Sequence, residues 1–169
     1  FLVMQMTFAG KPLAQVVRDT LYAHEANSAF ISKVALQIKD NRVVMLGEPT
    51  HGEGNILELK TKIIKSLVED HGFSVIAFES GIYDLWKASK SIQEGNDCIQ
   101  SYKNGIFNVW SCSEQMKEMF DLLNAWHGKV SVVGFDNQFS GEYALESILE
   151  DVRDVVGRNK IDVRAGDLE

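Results

Sequence analysis

The feature that most constrains the fold is an apolar run ending in a polar motif, Arg42-Val-Val-Met-Leu-Gly-Glu-Pro-Thr-His-Gly52. Residues 43–46 predict a short strand buried on both faces, because apolar β-branched runs bounded by glycine and proline are typical of parallel sheets. Ligands of open α/β sheets bind beyond the carboxyl ends of the strands. Glu48 and His51 therefore fall where chemistry is expected, although a surface turn with incidental polar residues would have the same sequence pattern.

Two further apolar runs are also followed by acids. Residues 73–78 lead into Glu79, and residues 129–133 lead to Asp136. If these strands are parallel to the first, Glu48, Glu79 and Asp136 gather at one edge of the sheet. Carboxylates clustered beside a histidine favour a general-base site or a metal site, since like charges held together require a proton, a cation or a metal. The alternative is that each acid caps the helix that follows it.

Composition restricts the class of protein. The 169 residues suit one domain, and 45% hydrophobic with 24% charged residues is ordinary for a globular protein. The net charge of −7 and the dispersed basic residues argue against nucleic acid or an anionic membrane as a partner. No apolar run is long enough for a membrane helix. Cys98 and Cys112 make neither a disulfide framework nor a zinc motif, so a reducing, cytoplasmic compartment is expected.

Helical periodicity alternates with the three apolar runs. Helices are predicted over residues 11–26, 28–39, 53–70, 82–93, part of 98–110, a segment starting at a Ser111–Glu114 capping box, and 140–156 with Ser140 as its cap. Trp86 is expected to be buried in the fourth of these, and the last has apolar residues that include Leu149 and Val152. This order predicts an α/β fold, a parallel sheet wound with helices on both faces. Three strands make a thin core, so residues 1–169 are expected to form one α/β domain that is part of a larger domain.

Lys60 is the one charged residue in the middle of an apolar stripe. Ile56, Leu59, Ile63 and Leu67 lie on the same side of the predicted 53–70 helix. The lysine could extend outward along its own methylene groups, or it could turn inward and pair with an acid of the carboxylate cluster. The second outcome is favoured here, because this helix must pack beside the acids.

Two further histidines, His71 and His127, have a structural explanation. His71 and His127 are each followed by glycine at the end of a predicted helix, which is typical of a C-terminal cap rather than of a ligand.

The motifs resemble the erythromycin esterase family, which includes proteins labelled as succinoglycan biosynthesis proteins. The resemblance rests on Gly47-Glu-Pro-Thr-His-Gly52, on Glu58-Leu-Lys60, on the stretch from Val68 through Glu79, and on Val133-Gly-Phe-Asp-Asn-Gln138, and it covers about residues 28–150. It implies the N-terminal part of a longer domain, because family members are longer and add further histidines to the cleft. No histidine follows His127 in this chain.

The resemblance implies a role for each motif residue. His51 becomes the general base that activates water for cleavage of an ester or macrolactone, a chemistry linked to macrolide antibiotic resistance. Glu48 and Glu79 become its catalytic partners, while Lys60 and Asp136 bind the substrate, a small-molecule ester. Lys60 stands where the family has arginine, which keeps the charge but loses the bidentate geometry. No cofactor is implied.

Two other functions remain open from the sequence. Glu48, His51, Glu79 and Asp136 could instead bind a divalent metal, Zn²⁺ or Mn²⁺, in a metal-dependent hydrolase. The same cleft could also bind a macrolide, a sugar or haem without catalysis. A nucleophilic serine is disfavoured, because the chain has no Gly-x-Ser-x-Gly elbow.

Overall fold

The computed structural model describes residues 27–161, so the helix predicted over residues 11–26 lies outside the described part. The described residues form a mixed α/β structure with seven α-helices and one parallel two-stranded sheet, which confirms the predicted class. The elements are α1 (Ser28–Ile38), α2 (Gly54–His71), β1 (Val75–Gly81), α3 (Ile82–Gln93), α4 (Cys98–Gly105), α5 (Asn108–Ser111), a 3₁₀ turn (Glu114–Met116), α6 (Lys117–Ala125), β2 (Ser131–Asp136) and α7 (Glu142–Arg158).

The described residues divide into two compact units. The first unit contains residues 27–74 and 113–122, and the second contains residues 75–112 and 123–161. Within residues 27–161, none of the helices combines the length and the apolar character that crossing a bilayer would require.

The core of the first unit is the contact between α1 and α2. Ile31 and Ala35 of α1 pack with Ile63 and Leu67 of α2, as the helical spacing of the apolar residues predicted. The ends of both helices are set by local chemistry. The Asn27 side chain accepts the Phe30 N–H at 3.0 Å at the start of α1. At the end of α2, Gly72 adopts the left-handed conformation with φ 75°, so the predicted cap after His71 is confirmed.

The strand predicted for residues 43–46 is wrong. The segment is irregular and pairs with no strand among the residues that the structure describes. Val44 and Leu46 pack against the α1–α2 core, whereas Val43 is 69% exposed and Met45 47% exposed. The run is therefore covered on one side only. The apolar residues of this run are explained by packing on α1 and α2, and not by burial inside a sheet.

The second unit is built on β1 and β2, which lie side by side and parallel. The register runs from Val75 opposite Ser131 to Phe78 opposite Gly134, and then shifts before Gly81 meets Asp136. A Cβ added at Gly134 would lie 2.5 Å from the carbonyl oxygens of both Ser80 and Gly81, so this close approach requires glycine. Both predicted strands are confirmed, and β1 extends beyond the predicted end through Gly81.

Helix α3 is the centre of the second unit, since it packs against β1, β2, α4 and α7. Its boundaries are those predicted, and Leu85, Ala88 and Ile92 are buried as expected. Trp86 is 53% exposed, so its predicted burial is wrong. The residue buried beside Leu85 is instead Asp84, which has no exposed surface. The buried side of α3 is therefore rotated slightly from the side that hydrophobicity alone indicates.

Two predicted helix starts are also wrong. Ser111 is the last residue of α5, where its N–H bonds the Phe107 carbonyl, and it does not cap the following helix. Ser140 does not cap α7, because Gly141 occupies the N-cap position and the Ser140 hydroxyl accepts the N–H of Gly81 at 2.9 Å. In each case the serine forms a different hydrogen bond from the one predicted, with Phe107 for Ser111 and with Gly81 for Ser140.

The last two helices differ in how well periodicity predicts burial. Met116, Met119, Phe120, Leu123 and Trp126, in and around α6, are all buried as predicted. On α7, the apolar residues Leu149 and Val152 are 54% and 40% exposed, so the described residues cover the apolar side of this helix only in part. Helix α7 is anchored through its N-terminal part, where Ala144 is buried.

Candidate functional site

Three of the predicted site residues meet in the first unit, and we call Glu48, His51 and Lys60 the Glu48 site. The Nδ1 of His51 lies 2.8 Å from Oε1 of Glu48, and the Nζ of Lys60 donates to Oε2 of the same carboxylate at 2.5 Å. The side chain of Glu48 is 7% exposed, against 19% for Lys60 and 51% for His51. A mostly buried carboxylate thus binds two basic groups, one on each oxygen.

Local structure explains why these residues meet. Glu48 precedes Pro49, which disfavours the helical conformation at Glu48 and keeps this part of the chain out of α2. Helix α2 begins at Gly54, so Lys60 lies in its second turn. Long side chains of a helix point toward its N-terminus, and this direction carries the lysine back toward Glu48. The prediction that Lys60 pairs with an acid is confirmed as a contact.

The geometry of the Glu48 site suits proton transfer by His51. A carboxylate beside Nδ1 accepts the proton of that nitrogen and fixes the ring orientation. The lone pair of the neutral ring is then on Nε2, which can take a proton from water or an alcohol. Lys60 balances the charge of the carboxylate on its other oxygen. The roles assigned to these residues stay predictions.

The other two predicted site residues, Glu79 and Asp136, belong to the second unit. Glu79 lies in β1, two residues before the strand ends, and its side chain is exposed. Asp136 is the last residue of β2, is partly buried, and accepts the N–H of Gln138 at 3.0 Å. The two acids therefore lie near the carboxyl ends of neighbouring parallel strands, as expected. Asp136 does not cap α7, so for this acid the capping alternative is wrong.

A shallow groove lies beside Asp136 in the second unit. Its volume is about 350 Å³, and it is lined by Ile82, Tyr83 and Trp86 of α3 and by residues 136–139. The exposed ring of Trp86 belongs to this groove, which accounts for an aromatic residue that is not in the core.

Neither unit by itself assembles a metal site. Within each unit, the described residues contain no group of three or more histidine, cysteine, aspartate or glutamate side chains that could hold a metal ion. The ligands named for the metal hypothesis are divided, two in the first unit and two in the second.

Asp84 is a structural residue that was not predicted from the sequence. This fully buried carboxylate on α3 accepts the N–H of Gly141 on Oδ2 at 3.1 Å and the N–H of Ala144 on Oδ1 at 2.7 Å. Both amides are at the start of α7. The sequence does not mark it, because an aspartate in the first turn of a helix is explained by the helix dipole alone.

A second cluster that was not predicted also joins α3 to α7. The Tyr83 hydroxyl donates to Oδ2 of Asp151 at 2.7 Å, and the Nζ of Lys87 donates to the same oxygen at 3.0 Å. The hydrogen bond from Tyr83, followed by that from Lys87, lowers the pKa of Asp151. The hydrogen bond to Asp151 raises the pKa of Lys87, and burial is the main cause that raises the pKa of Tyr83. The cluster is therefore stabilised in its ionised form, with Tyr83 neutral.

The match to a known protein family covers the residues that follow the Glu48 site. A sequence model of the family described as "Erythromycin esterase" matches residues 68–166, a range that contains Glu79 and Asp136 and begins after the Glu48 site. The protein named "Putative hydrolase YbfO" from Bacillus subtilis (strain 168) is 44% identical over 66 residues, which is 39% of this chain and only 14% of that relative. No solved structure matches the chain significantly. Since the family match covers more than half of its residues, the chain belongs to the erythromycin esterase family.

Proposed function

We propose that the chain carries the general-base part of an ester hydrolase, in which His51 activates a water molecule for attack on an ester or macrolactone carbonyl. The observation that supports this most directly is the contact of 2.8 Å between Nδ1 of His51 and Oε1 of Glu48. A histidine held in this way by a carboxylate presents its second ring nitrogen as the base. The half-exposed ring leaves room for a water or substrate to approach.

Glu48 and Lys60 complete the proposed base. Glu48 orients the imidazole and stabilises the imidazolium that forms when His51 takes the proton of water. Lys60 holds the second oxygen of Glu48, so the carboxylate cannot rotate away from the ring without breaking an ion pair. This arrangement gives Lys60 a role through Glu48, in addition to the substrate-binding role that the family resemblance implies.

The names of the matching family and relative support the choice of substrate class. The matching family is named for erythromycin esterase, and the relative from Bacillus subtilis is named as a hydrolase. We therefore propose a small carboxylic ester as substrate, with macrolide lactones as the first group to test. Glu79 is proposed to assist catalysis and Asp136 to bind the substrate, each as a separate proposal for the second unit.

The test is the substitution His51→Asn in the intact protein, with short-chain nitrophenyl esters and erythromycin as probes. Hydrolysis is followed by release of nitrophenol and by the mass gain of one water on the macrolide. We expect kcat/KM to fall by roughly 10²–10⁴, the usual contribution of a general base. Asparagine keeps a polar side chain of similar size but cannot accept the proton.

The matched control is His127→Asn, which changes an exposed histidine outside the Glu48 site. This variant should hydrolyse the same esters at the rate of the unchanged protein. Equal rates for His51→Asn and the unchanged protein would remove His51 from the mechanism. An equal loss in both variants would show that the effect is not specific to the Glu48 site.

A further inference from the structure

We propose that Asp84 is a positioning residue that holds the loop of residues 137–140, and through it the Asp136 carboxylate, in one geometry. The inference rests on the proposed function only for the role of Asp136 in substrate binding. The loop follows β2 directly and leads into α7, and residues 137–139 form one wall of the groove beside α3. Its geometry therefore decides where Asp136 and the groove wall lie.

The end of this loop is held by Asp84 from another helix. The two carboxylate oxygens accept the N–H groups of Gly141 and Ala144, at 3.1 and 2.7 Å, although Asp84 is 57 residues before the first of them. These are backbone donors that the first turn of an α-helix leaves without a partner. The positive end of the α7 dipole also stabilises a buried negative charge at this point.

This cap differs from an ordinary one because it is supplied at a distance. Helices are usually capped by the side chain of the N-cap residue itself, which fixes the helix end but not its position relative to other elements. Here the N-cap residue is Gly141, which has no side chain, and α3 supplies the carboxylate. The start of α7 is thereby tied to α3, the helix that forms the opposite wall of the groove.

The packing around Asp84 excludes the ordinary local cap. A Cβ added at Gly141 would lie 2.7 Å from Cγ and Oδ1 of Asp84, and one added at Gly81 would lie 2.3 Å from Oδ2. Serine or aspartate at position 141 therefore cannot coexist with Asp84 in its present position. Asp84 can cap α7 only because positions 81 and 141 are both glycine.

Gly81 ties the loop at a second point. Its N–H bonds the hydroxyl of Ser140, and its Cα is paired with Asp136 in the sheet register. The loop is thus fixed where it leaves β2 and where it enters α7. Inside it, the N–H of Gln138 bonds Oδ1 of Asp136, so this amide reports directly on the position of the carboxylate.

The experiment uses the variant Asp84→Ala in the full chain and compares the loop with the helix that follows it. A serine at 141 cannot replace the lost cap, because its Cβ would still lie 2.8 Å from the backbone carbonyl oxygen of Asn104. The variant therefore removes both hydrogen bonds from Asp84 and unties the start of α7 from α3. Amide hydrogen exchange, measured by NMR, compares the Gln138 amide with the amides in the middle of α7.

In Asp84→Ala, we expect exchange at Gln138 to accelerate about tenfold relative to the amides in the middle of α7, because the loop opens locally while the middle of the helix keeps its contacts with α3 through Asp151. Equal changes at Gln138 and in α7, or no change at either, would overturn the inference. The control is Asp97→Ala, which removes the local cap that Asp97 provides to α4 through the Gln100 N–H at 2.7 Å. Faster relative exchange at Gln138 in this control would also overturn it.

Hydrolysis provides a second readout. In Asp84→Ala, KM for the ester should rise about tenfold while kcat stays unchanged, since Asp136 is displaced but the Glu48 site is not altered. Amide exchange requires no turnover. A chain that hydrolyses no ester would therefore contradict the proposed function and leave the exchange result to decide this inference alone.

Discussion

Glu48 and Asp84 are two carboxylates withdrawn from solvent, and they are satisfied in opposite ways. Glu48 contacts two basic side chains, those of His51 and Lys60, whereas both oxygens of Asp84 accept backbone N–H groups. Side-chain partners can gain or lose protons and can move. Backbone amides do neither, because the helix fixes them. The first arrangement therefore suits proton transfer, and the second suits the fixing of one helix against another.

The packing around the two carboxylates also differs. Nothing lies within 4 Å of a Cβ added at Gly47, the residue before Glu48. At Gly81 and Gly141, a Cβ would collide with Asp84. The chain beside Glu48 is therefore loosely packed, whereas the chain around Asp84 is tightly packed.

The largest effect is expected from adding a methyl group at the crowded site around Asp84. Gly81→Ala places a Cβ 2.3 Å from Oδ2 of Asp84 and 2.9 Å from the carbonyl oxygen of Gln138. The carboxylate must shift and weaken its hydrogen bonds, so we expect a loss of about 3 kcal/mol in the free energy of unfolding. Urea denaturation measures it, with Gly47→Ala as the control that should change stability by less than about 0.5 kcal/mol. Similar losses in both variants would remove the distinction between crowded and open glycines.

The next effect tests the carboxylates themselves. Asp84→Asn leaves one oxygen to accept a backbone N–H and turns an NH₂ group toward the other, so we expect a loss of about 2 kcal/mol of stability. Glu48→Gln keeps an oxygen for Lys60, and its partners retain access to solvent. Its stability cost should be below about 1 kcal/mol. A larger cost for Glu48→Gln than for Asp84→Asn in urea denaturation would invert the comparison.

A smaller effect is expected from the cation of the Glu48 site, measured as activity. Lys60→Met removes the partner of Oε2 and leaves Glu48 freer to rotate, so we expect kcat/KM for ester hydrolysis to fall about tenfold, equal to about 1.4 kcal/mol. Lys60→Arg keeps the charge and restores the residue type that the family carries, and should stay within about twofold of the unchanged protein. Equal losses for Met and Arg would show that the charge on Glu48 is not what Lys60 contributes.

The same comparison explains what the sequence could predict. His51 and Lys60 lie within twelve residues of Glu48. A local motif and one helical stripe were therefore sufficient to predict that these side chains lie close together. The partners of Asp84 lie 57 and 60 residues away. No local pattern encodes such a contact, and an aspartate in the first turn of a helix has an adequate local explanation in the helix dipole.

The strand predicted for residues 43–46 is wrong for a related reason. The boundaries of α3 and the burial around α6 follow from periodicity, which is a local property. Whether residues 43–46 form a strand depends on a partner strand, and the run packs on α1 and α2 instead. Short apolar runs do not distinguish these outcomes, because both bury the same side chains. The caps predicted for Ser111 and Ser140 failed because other residues compete for the same groups.

The smallest effect comes from a cluster that joins the same two helices as Asp84, but through side chains that titrate. Asp151 of α7 accepts hydrogen bonds from Tyr83 and Lys87 of α3, and these hold the pKa of Asp151 below its ordinary value of 3.8. Its contribution to stability is therefore fully present above pH 3.8 and is lost as the pH falls through the lower pKa of the folded state.

At the alkaline end, the pKa of Lys87 is raised above 10.5, so its contribution is present below that pH and disappears as the pH rises through the folded pKa. Because Asp151 is 35% exposed, solvent screening should keep the difference in stability between the unchanged protein and Asp151→Asn below about 1 kcal/mol. Urea denaturation across pH should show this difference as constant from pH 4 to 10. The control is Asp154→Asn, which breaks an exposed pair with Arg158 within α7 alone. A difference that persists undiminished at low pH would show that Asp151 joins α3 to α7 by packing, as a fixed contact, rather than by charge.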